Sequence, residues 1–427
     1  MASTNVTTQR TLVLLWRSLG PYHLARAAAA ARLLEAQGLR AVVVELCDAE
    51  ETREWLTDRS TAECEVRTLS PGVQLTDRSR NFSAELLAVL EEIRPCCVAV
   101  AGYDRPEMRA ALRWANRRGA GAVLMSETKW DDRPRPWWRR MLASRLVRRA
   151  DAALVSGGAA GEYLVALGMP RERIFRQYGA VDNAYFRERA AALRRHRNRT
   201  REYFLVCSRL IESRKNIARL LRAYAGYRAG STAAWDLVIC GDGCDRGAYE
   251  QLVARERIQG VEFAGFQQLD GLSAYLAGAS CFVHAAVNEA WGLVVNEALA
   301  SGLPVLVSRR CGCAPDLVHE GVNGFTFDPY DVDSLSALLQ HMSQLPVPQR
   351  DAMGAASSQI VSRFGCEQFA AGLAEAMAVA CRVRQGVTVL SRHAVPVDCG
   401  AEQTGAVDAD IGPLGRLEPA DSVAAVR

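Results

Sequence analysis

Short apolar runs alternate with amphipathic stretches along almost the whole chain. TLVLLW (11–16) leads into PYHLARAAAAARLLEAQG, whose apolar positions recur at helical spacing and which stops on Gly38, and AVVVEL follows at 41–46. The rhythm returns in CCVAVAG (96–102), a helix over 105–118, AGAVLMS (120–126), a basic helix near 134–149 and DAALVSG (151–157). Apolar strands of about five residues joined by helices predict βαβ units, and hence a parallel, doubly wound sheet.

RERAAALRRHRNRTRE (187–202) interrupts this pattern, with only alanines and one leucine as apolar anchors, and reads as a surface connection. The alternation then restarts with YFLVCSRL (203–210), a helix over 215–229, WDLVICGDG (235–243), a helix to about 257, VEFAGF (261–266) and CFVHAAV (281–287). The fold expected is therefore α/β, with two Rossmann-like doubly wound domains facing across a cleft, at 1–190 and 203–365 with a linker over 191–202. A last helix (366–385) follows Gly365. From 386 the chain is rich in Gly, Ala, Pro and Asp without any period, and a disordered tail is expected.

Composition narrows the function classes. The 427 residues are 49% apolar and 23% charged, an ordinary globular balance, and the length favours two domains. A net charge of +4 is too mild to point to nucleic acid. Thirteen cysteines at irregular spacing, several in predicted strands (Cys96, Cys97, Cys207, Cys240, Cys281), suggest buried free thiols in a reducing, cytoplasmic setting. Cys311-Gly-Cys313 has no second pair at zinc spacing, so no metal is expected. MASTNVTTQRTLVLLW lacks the charged start and long apolar stretch of a signal peptide. The uncharged stretch 271–287 is broken by Gly278, Ser280 and His284, and reads as a short helix running into a strand. Of the 52 basic residues only Lys129 and Lys215 are lysine.

NEAWGLVVNEALASGLPVLVS (288–308) sets two carboxylates in apolar surroundings, an arrangement that is costly unless something binds them. With a strand over 281–287 and a helix over 292–301, Glu289 lies in the intervening loop and Glu297 in the second helical turn. They flank a helix N-terminus whose free amides at Gly292, Leu293 and Val294 favour an anion. A diphosphate there would lie between the carboxylates, with Glu297 accepting hydrogen bonds from a vicinal diol. CSRLIESRKN (207–216) follows one predicted strand and precedes a helix capped by Ser213, so Arg209 and Lys215 emerge at the same sheet edge as candidate phosphate ligands.

Residues 203–365 resemble the donor-binding half of family 4 glycosyltransferases of the GT-B fold. The resemblance rests on SRLIESRKNIARLLRAY, LVICGDG, VEFAGF, EAWGLVVNEALASGLPVLVS and CGCAPDLVHEGVNGFTFDP. The first 185 residues are similar to the acceptor half more loosely, through GPYHLARAAAAARLL, RADAALVSG and YGAVDNAYF. The resemblance implies a nucleotide-diphosphate sugar as co-substrate, retention of anomeric configuration, no cofactor or metal, and a final helix that crosses back to the first domain. It also implies that Arg209 and Lys215 hold the departing diphosphate, Glu289 lies against the sugar and Glu297 holds the ribose. Cations at one end and a carboxylate at the other suit the charge that develops when a glycosyl–phosphate bond breaks.

Three places depart from the family pattern. The Gly-Gly loop after the first strand reads WRSLGPYH, leaving Gly20 for close backbone approach and His23 as a helix-start hydrogen-bonder or an acceptor-side group. Where relatives carry a His after the fifth strand, MSETKWDD offers Glu127, Lys129 and Asp131 to an acceptor hydroxyl or anion. The stretch HAAVN lacks the usual Pro-Ser pair, so His284 is expected to pack in the strand end. RPRPWWRRMLASRLVRR (133–149) places Trp138, Met141, Leu142 and Leu146 on one helix face, to pack on the sheet or to touch anionic lipid as a peripheral protein. The expected function is glycosyl transfer to a saccharide, lipid-linked or small-molecule acceptor. Hydrolysis or isomerisation of the nucleotide sugar, and noncatalytic binding of it, remain alternatives.

Overall fold

The computed structural model describes residues 10–50, 55–75, 81–132, 135–195 and 201–386. Seven parallel strands form the first sheet: β1 (Thr11–Trp16), β2 (Arg40–Glu50), β3 (Glu65–Leu75), β4 (Cys97–Ala101), β5 (Gly121–Ser126), β6 (Ala152–Val155) and β7 (Ile174–Phe175). Their spatial order is β3-β2-β1-β4-β5-β6-β7. Six parallel strands form the second: β8 (Tyr203–Cys207), β9 (Asp236–Cys240), β10 (Val261–Gly265), β11 (Cys281–His284), β12 (Val305–Ser308) and β13 (Gly324–Phe327), ordered β10-β9-β8-β11-β12-β13. Each sheet has apolar cores on both faces, which is why central strands such as LVLL and VVV are apolar without alternation. Strand order reverses between β1 and β4 and between β8 and β11. Crevices at such reversals, beyond the strand ends, are where doubly wound sheets bind ligands.

The segment expected as a connection from 187 is instead helical as far as the helix Asn183–Arg195 extends. Its buried anchors are Phe186, which precedes the apolar-poor window, and Ala190. They face the second half, where Arg194 Nε donates to the Ala277 carbonyl (3.1 Å). Residues 196–200 of the expected linker lie outside the described residues, as does the expected tail from 387. The expected helix over 215–229 is broken at Asn216 into Glu212–Lys215 and Ile217–Ala229. Asn216 adopts φ 60° because its side-chain amide donates to the carbonyls of Ala285 (3.2 Å) and Pro329 (2.7 Å). Edge strand β3 and the helix Ser83–Ile93 have no counterpart in the sequence reading. EVRTLSPGVQL carries a Pro-Gly pair and no fully buried residue among those whose burial is described, so its signal is weak.

The helix Cys366–Arg384 packs on the first half, against Pro21–Glu35 and β5. Arg384 anchors it through Asp151 Oδ2 (2.7 Å) and Asn116 Oδ1 (2.8 Å). The halves also meet through Trp291, which is buried against glycines of the first half. A Cβ on Gly157 or on Gly179 would lie 2.4 Å from the indole. The indole N–H donates to Asn296 Oδ1 (3.0 Å), and the Asn296 amide donates to the Gly179 carbonyl (3.0 Å). Beside it, the Gly158 N–H donates to Asp316 Oδ2 (3.0 Å).

This contact makes a prediction with an internal control. Gly157→Ala should destabilise the chain by about 1–3 kcal/mol through overpacking against Trp291. Gly247→Ala, in a helix with nothing near the added methyl, should be neutral or stabilising by up to about 1 kcal/mol. Denaturant midpoints of the two variants test the pair.

Candidate active site

The carboxyl ends of β1, β4 and β5 face the β11 loop and the following helix across a cleft of about 840 Å³. From the first half it is lined by Gly20, Tyr22, His23, Gly102 and Glu127, among others, and from the second by Arg214, Asn288, Ala290 and Leu293. Glu289 sits just behind this wall, its side chain 14% exposed, in an ion pair with Lys215. The short helix ends at Lys215, and the ammonium meets Glu289 in the loop after β11. His284, buried at the end of β11, brings Nε2 to 3.4 Å from Glu289 Oε2. Burial alone would raise the Glu289 pKa, but the Lys215 ammonium, with the His284 imidazole close by, outweighs it and holds the carboxyl far below its usual range. Burial pushes the His284 imidazole down, toward the neutral form. Glu289 is thus a fixed anion, suited to stabilising positive charge and unsuited to donating a proton.

The loop that carries Glu289 is braced by CGC. Glu289 bridges Cys311, the Gly312 N–H donates to the Glu289 carbonyl (3.1 Å), and a Cβ on Gly312 would lie 1.8 Å from the Ala290 carbonyl oxygen. The glycine thus permits the close approach, and the flanking thiols are buried, with burial raising both. Gly292, at φ 108°, turns the chain into the helix Leu293–Ala300. Among the described residues the amides of Gly292, Leu293 and Val294 have no acceptor, so they remain available to an anion.

Glu297 points inward from that helix and is 1% exposed. Its Oε1 has no hydrogen-bond partner among the described residues. Burial raises its pKa to about 7, against a smaller lowering effect of the neighbouring Tyr22 hydroxyl. Arg209 is exposed in the loop after β8, at the same sheet edge. Arg214, absent from the sequence expectations, lines the cleft and accepts the amides of Val287 (2.9 Å) and Asn288 (3.3 Å) on its carbonyl.

On the opposite wall the Gly20 N–H already donates to His23 Nδ1 (3.0 Å), so Gly20 contributes space and an accessible edge more than an amide. His23, in the first turn of the helix Pro21–Glu35, packs edge-on to Trp16 while still lining the cleft. Glu127 lines the cleft as well. Lys129 is buried and paired with Asp131, so its charge is not presented to the cleft. Burial opposes ionisation of Asp131, but Lys129 and then Arg310 hold it low, and Arg310, 3.6 Å away, ties this loop to the Val287 carbonyl (2.7 Å). Sequence reasoning also missed Tyr22 and Trp291. Both are aromatics beside named motif residues, and nothing in their spacing says that they cross between domains.

Two parallel, doubly wound sheets whose strand ends face each other across a cleft make the architecture of a GT-B glycosyltransferase. Residues 188–360 match the model for glycosyl transferases group 1, and residues 24–176 match that for a glycosyl transferase 4-like domain. The chain belongs to family 4 of the GT-B glycosyltransferases. It is 28% identical over 240 residues to a sucrose synthase of Acidithiobacillus caldus, covering 51% of this chain and 30% of that protein. It is 31% identical over 241 residues to the GDP-mannose-dependent alpha-(1-6)-phosphatidylinositol dimannoside mannosyltransferase of Mycobacterium tuberculosis, covering 52% and 59%. The chain thus spans less than two thirds of either relative. In fold it is similar to Anabaena HepE in complex with UDP, with a TM-score of 0.67 at 16% identity over 87% of this chain and 100% of that one.

Glu297 yields a pH prediction. A carboxyl harder to ionise when folded contributes its stability below its ordinary value of 4.5, and loses it as pH rises through about 7. Between pH 4.5 and 8 the wild type should therefore lose on the order of 3 kcal/mol relative to Glu297→Gln. Denaturant unfolding of both proteins across that range reads the difference.

Proposed function

We propose that the protein is a retaining, metal-independent glycosyltransferase that moves a hexosyl group from a nucleotide-diphosphate sugar to an acceptor hydroxyl. The observation that carries this reading is the Lys215–Glu289 pair beside the open amides of residues 292–294. The diphosphate lies on those amides and draws Lys215 and Arg209 to its oxygens. The sugar then lies against Glu289, freed to face the anomeric carbon. As the bond from that carbon to the phosphate oxygen breaks, negative charge gathers on phosphate near the two cations and positive charge on the sugar near Glu289. The acceptor oxygen bonds to the same carbon, its proton is released, and nucleoside diphosphate departs. Glu297 accepts from the ribose hydroxyls. Glu127 and His23, on the facing wall, orient the acceptor.

A second observation favours a lipid-linked acceptor. The helix Trp137–Val147 buries Ala143, Leu146 and Val147, whereas Trp138, Met141 and Leu142, expected on one face with Leu146, point outward. Trp137 is 65% exposed, and Trp130 in the preceding loop is about half exposed. Burying the small and carboxyl-terminal apolar residues uses the opposite side of the helix and leaves the large ones in solvent. Arg139, Arg140 and Arg145 share this helix, which has no acidic residue, and their charge complements an anionic lipid surface. The helix follows the loop bearing Glu127, so a peripheral docking here sets the acceptor side of the cleft at the membrane. Residues 133 and 134 of the expected segment lie outside the described residues.

Nucleoside diphosphate release from UDP-, GDP- and ADP-sugars, with and without saccharide and lipid acceptors, tests the chemistry. Release from one donor should be stimulated by acceptor, and Lys215→Ala, Arg209→Ala or Glu289→Gln should each lower kcat about a hundredfold or more. Acceptor-independent release would instead mark a hydrolase or isomerase, and donor binding without turnover a binding protein. For the docking face, the protein should co-sediment with phosphatidylglycerol vesicles and not with phosphatidylcholine ones. Trp137→Ser combined with Leu142→Ser should abolish this, and equal binding to both lipids would contradict it.

A further inference from the structure

We propose that Trp55, from the first half, is the wall on which the nucleobase of the donor stacks, so that a single nucleotide is held by both halves. The inference rests on the donor reading above, with the diphosphate on the amides of residues 292–294 and the ribose on Glu297. It extends that reading to the part of the nucleotide those groups leave unheld.

Topology indicates where the base lies. The open amides stand beyond β11, and from there the strand order runs through β8 and β9 to β10. At a strand spacing of about 4.8 Å, the ends of β9 and β10 lie about 10 and 14 Å from the end of β11. The cleft extends the same way. It is lined by Leu293 and also by Trp55, whose ring meets Phe266, in the loop after β10, with centroids 5.2 Å apart. A nucleotide with its diphosphate beside Leu293 that follows the cleft toward β10 brings its base to Trp55.

The indole is fixed in that place. The fully buried Glu45 carboxylate, in β2, accepts the Leu19 N–H (2.9 Å), the Thr68 hydroxyl (2.7 Å) and Arg59 Nη2 (3.1 Å), and Arg59 Nη2 also donates to the Asp48 carbonyl (2.7 Å). A buried charge with this many donors is a firm anchor for the loop that starts at Trp55. Arg59 Nη1 reaches back to the Thr57 carbonyl (3.5 Å), and the Thr57 hydroxyl donates to the Trp55 carbonyl (3.4 Å). Across the cleft the Leu56 N–H donates to Gln268 Oε1 (3.3 Å). The Trp55 ring meets Tyr22 edge-on, centroids 5.9 Å apart, as well as Phe266, yet it stays partly exposed and lines the cleft. A flat apolar surface already held by two neighbouring rings costs little further ordering when a base lands on it. Every base has a π-face, so such a wall contributes affinity and leaves the choice of base to other groups.

Calorimetric titration of UDP, GDP and ADP into the full chain tests this in the wild type, Trp55→Ala, Trp55→Phe and Lys215→Ala, with tryptophan fluorescence followed in parallel. Trp55→Ala should weaken every nucleotide that binds by roughly tenfold and by a similar factor, leaving their order of preference intact. Trp55→Phe should recover most of that loss, because it restores a ring. Nucleotide should quench part of the wild-type fluorescence, and that part should be missing from Trp55→Phe although it still binds. Wild-type affinity in Trp55→Ala, with Lys215→Ala weakened, would overturn the wall and leave the donor reading standing. A loss in Trp55→Ala that Trp55→Phe does not recover, with the quench intact in Trp55→Phe, would overturn it too, as the mark of a packing role. Wild-type affinity in Lys215→Ala, or no nucleotide bound by any of the proteins, would overturn the donor reading and the wall with it.

Discussion

One carboxylate, Glu289, is held ionised with only 14% of its side chain exposed, and much of the surrounding architecture serves that constraint. Its charge is balanced by Lys215, the last residue of the short helix that Asn216 ends. Its backbone is held by Gly312, whose missing side chain lets the CGC turn lie on the Ala290 carbonyl. Gly292 turns the next residues into a helix whose first amides remain open. Substituting any of these moves the carboxylate or strands it without compensation, and a buried charge that loses its partner is strongly destabilising, by about 3–5 kcal/mol in comparable cases.

The same loop joins the halves of the molecule. Two residues after Glu289, Trp291 fits against Gly157 and Gly179 of the first half, and Asn296 fastens the indole to the backbone there. Any opening of the cleft must therefore slide or release a contact adjacent to Glu289. Arg310 adds a second link, from the Val287 carbonyl to the loop of Asp131. Closure and the position of Glu289 are coupled through covalently neighbouring residues, which is a shorter route than a chain of side-chain contacts.

Much of this was legible in the chain itself. The strands β1, β5, β8, β9 and β11 are apolar enough to be read directly, and the last helix falls where Gly365 and the alanine-rich period place it. Glu289, Glu297 and Lys215 were legible because carboxylates among apolar residues, and a lysine in a chain with only two, are expensive or rare choices. Other features depend on contacts distant in sequence, which no local pattern records. The hydrophobic period of 137–147 locates a helix and leaves open which of two apolar sides the sheet covers. The pairing of Lys129 with Asp131 follows from burial of the loop, and the left-handed Asn216 follows from carbonyls at 285 and 329. Tyr22 reads as an ordinary aromatic at a helix start, and only the fold sets it against Glu297.

Where a diphosphate sits decides these roles. A crystal structure of the chain with its preferred nucleoside diphosphate measures that directly. The expected result is the terminal phosphate within hydrogen-bond distance of the Leu293 and Val294 amides, with Lys215 turned from Glu289 toward it and the ribose on Glu297. A nucleotide bound away from that helix, or phosphate in the cleft with the Lys215–Glu289 pair intact, would contradict it.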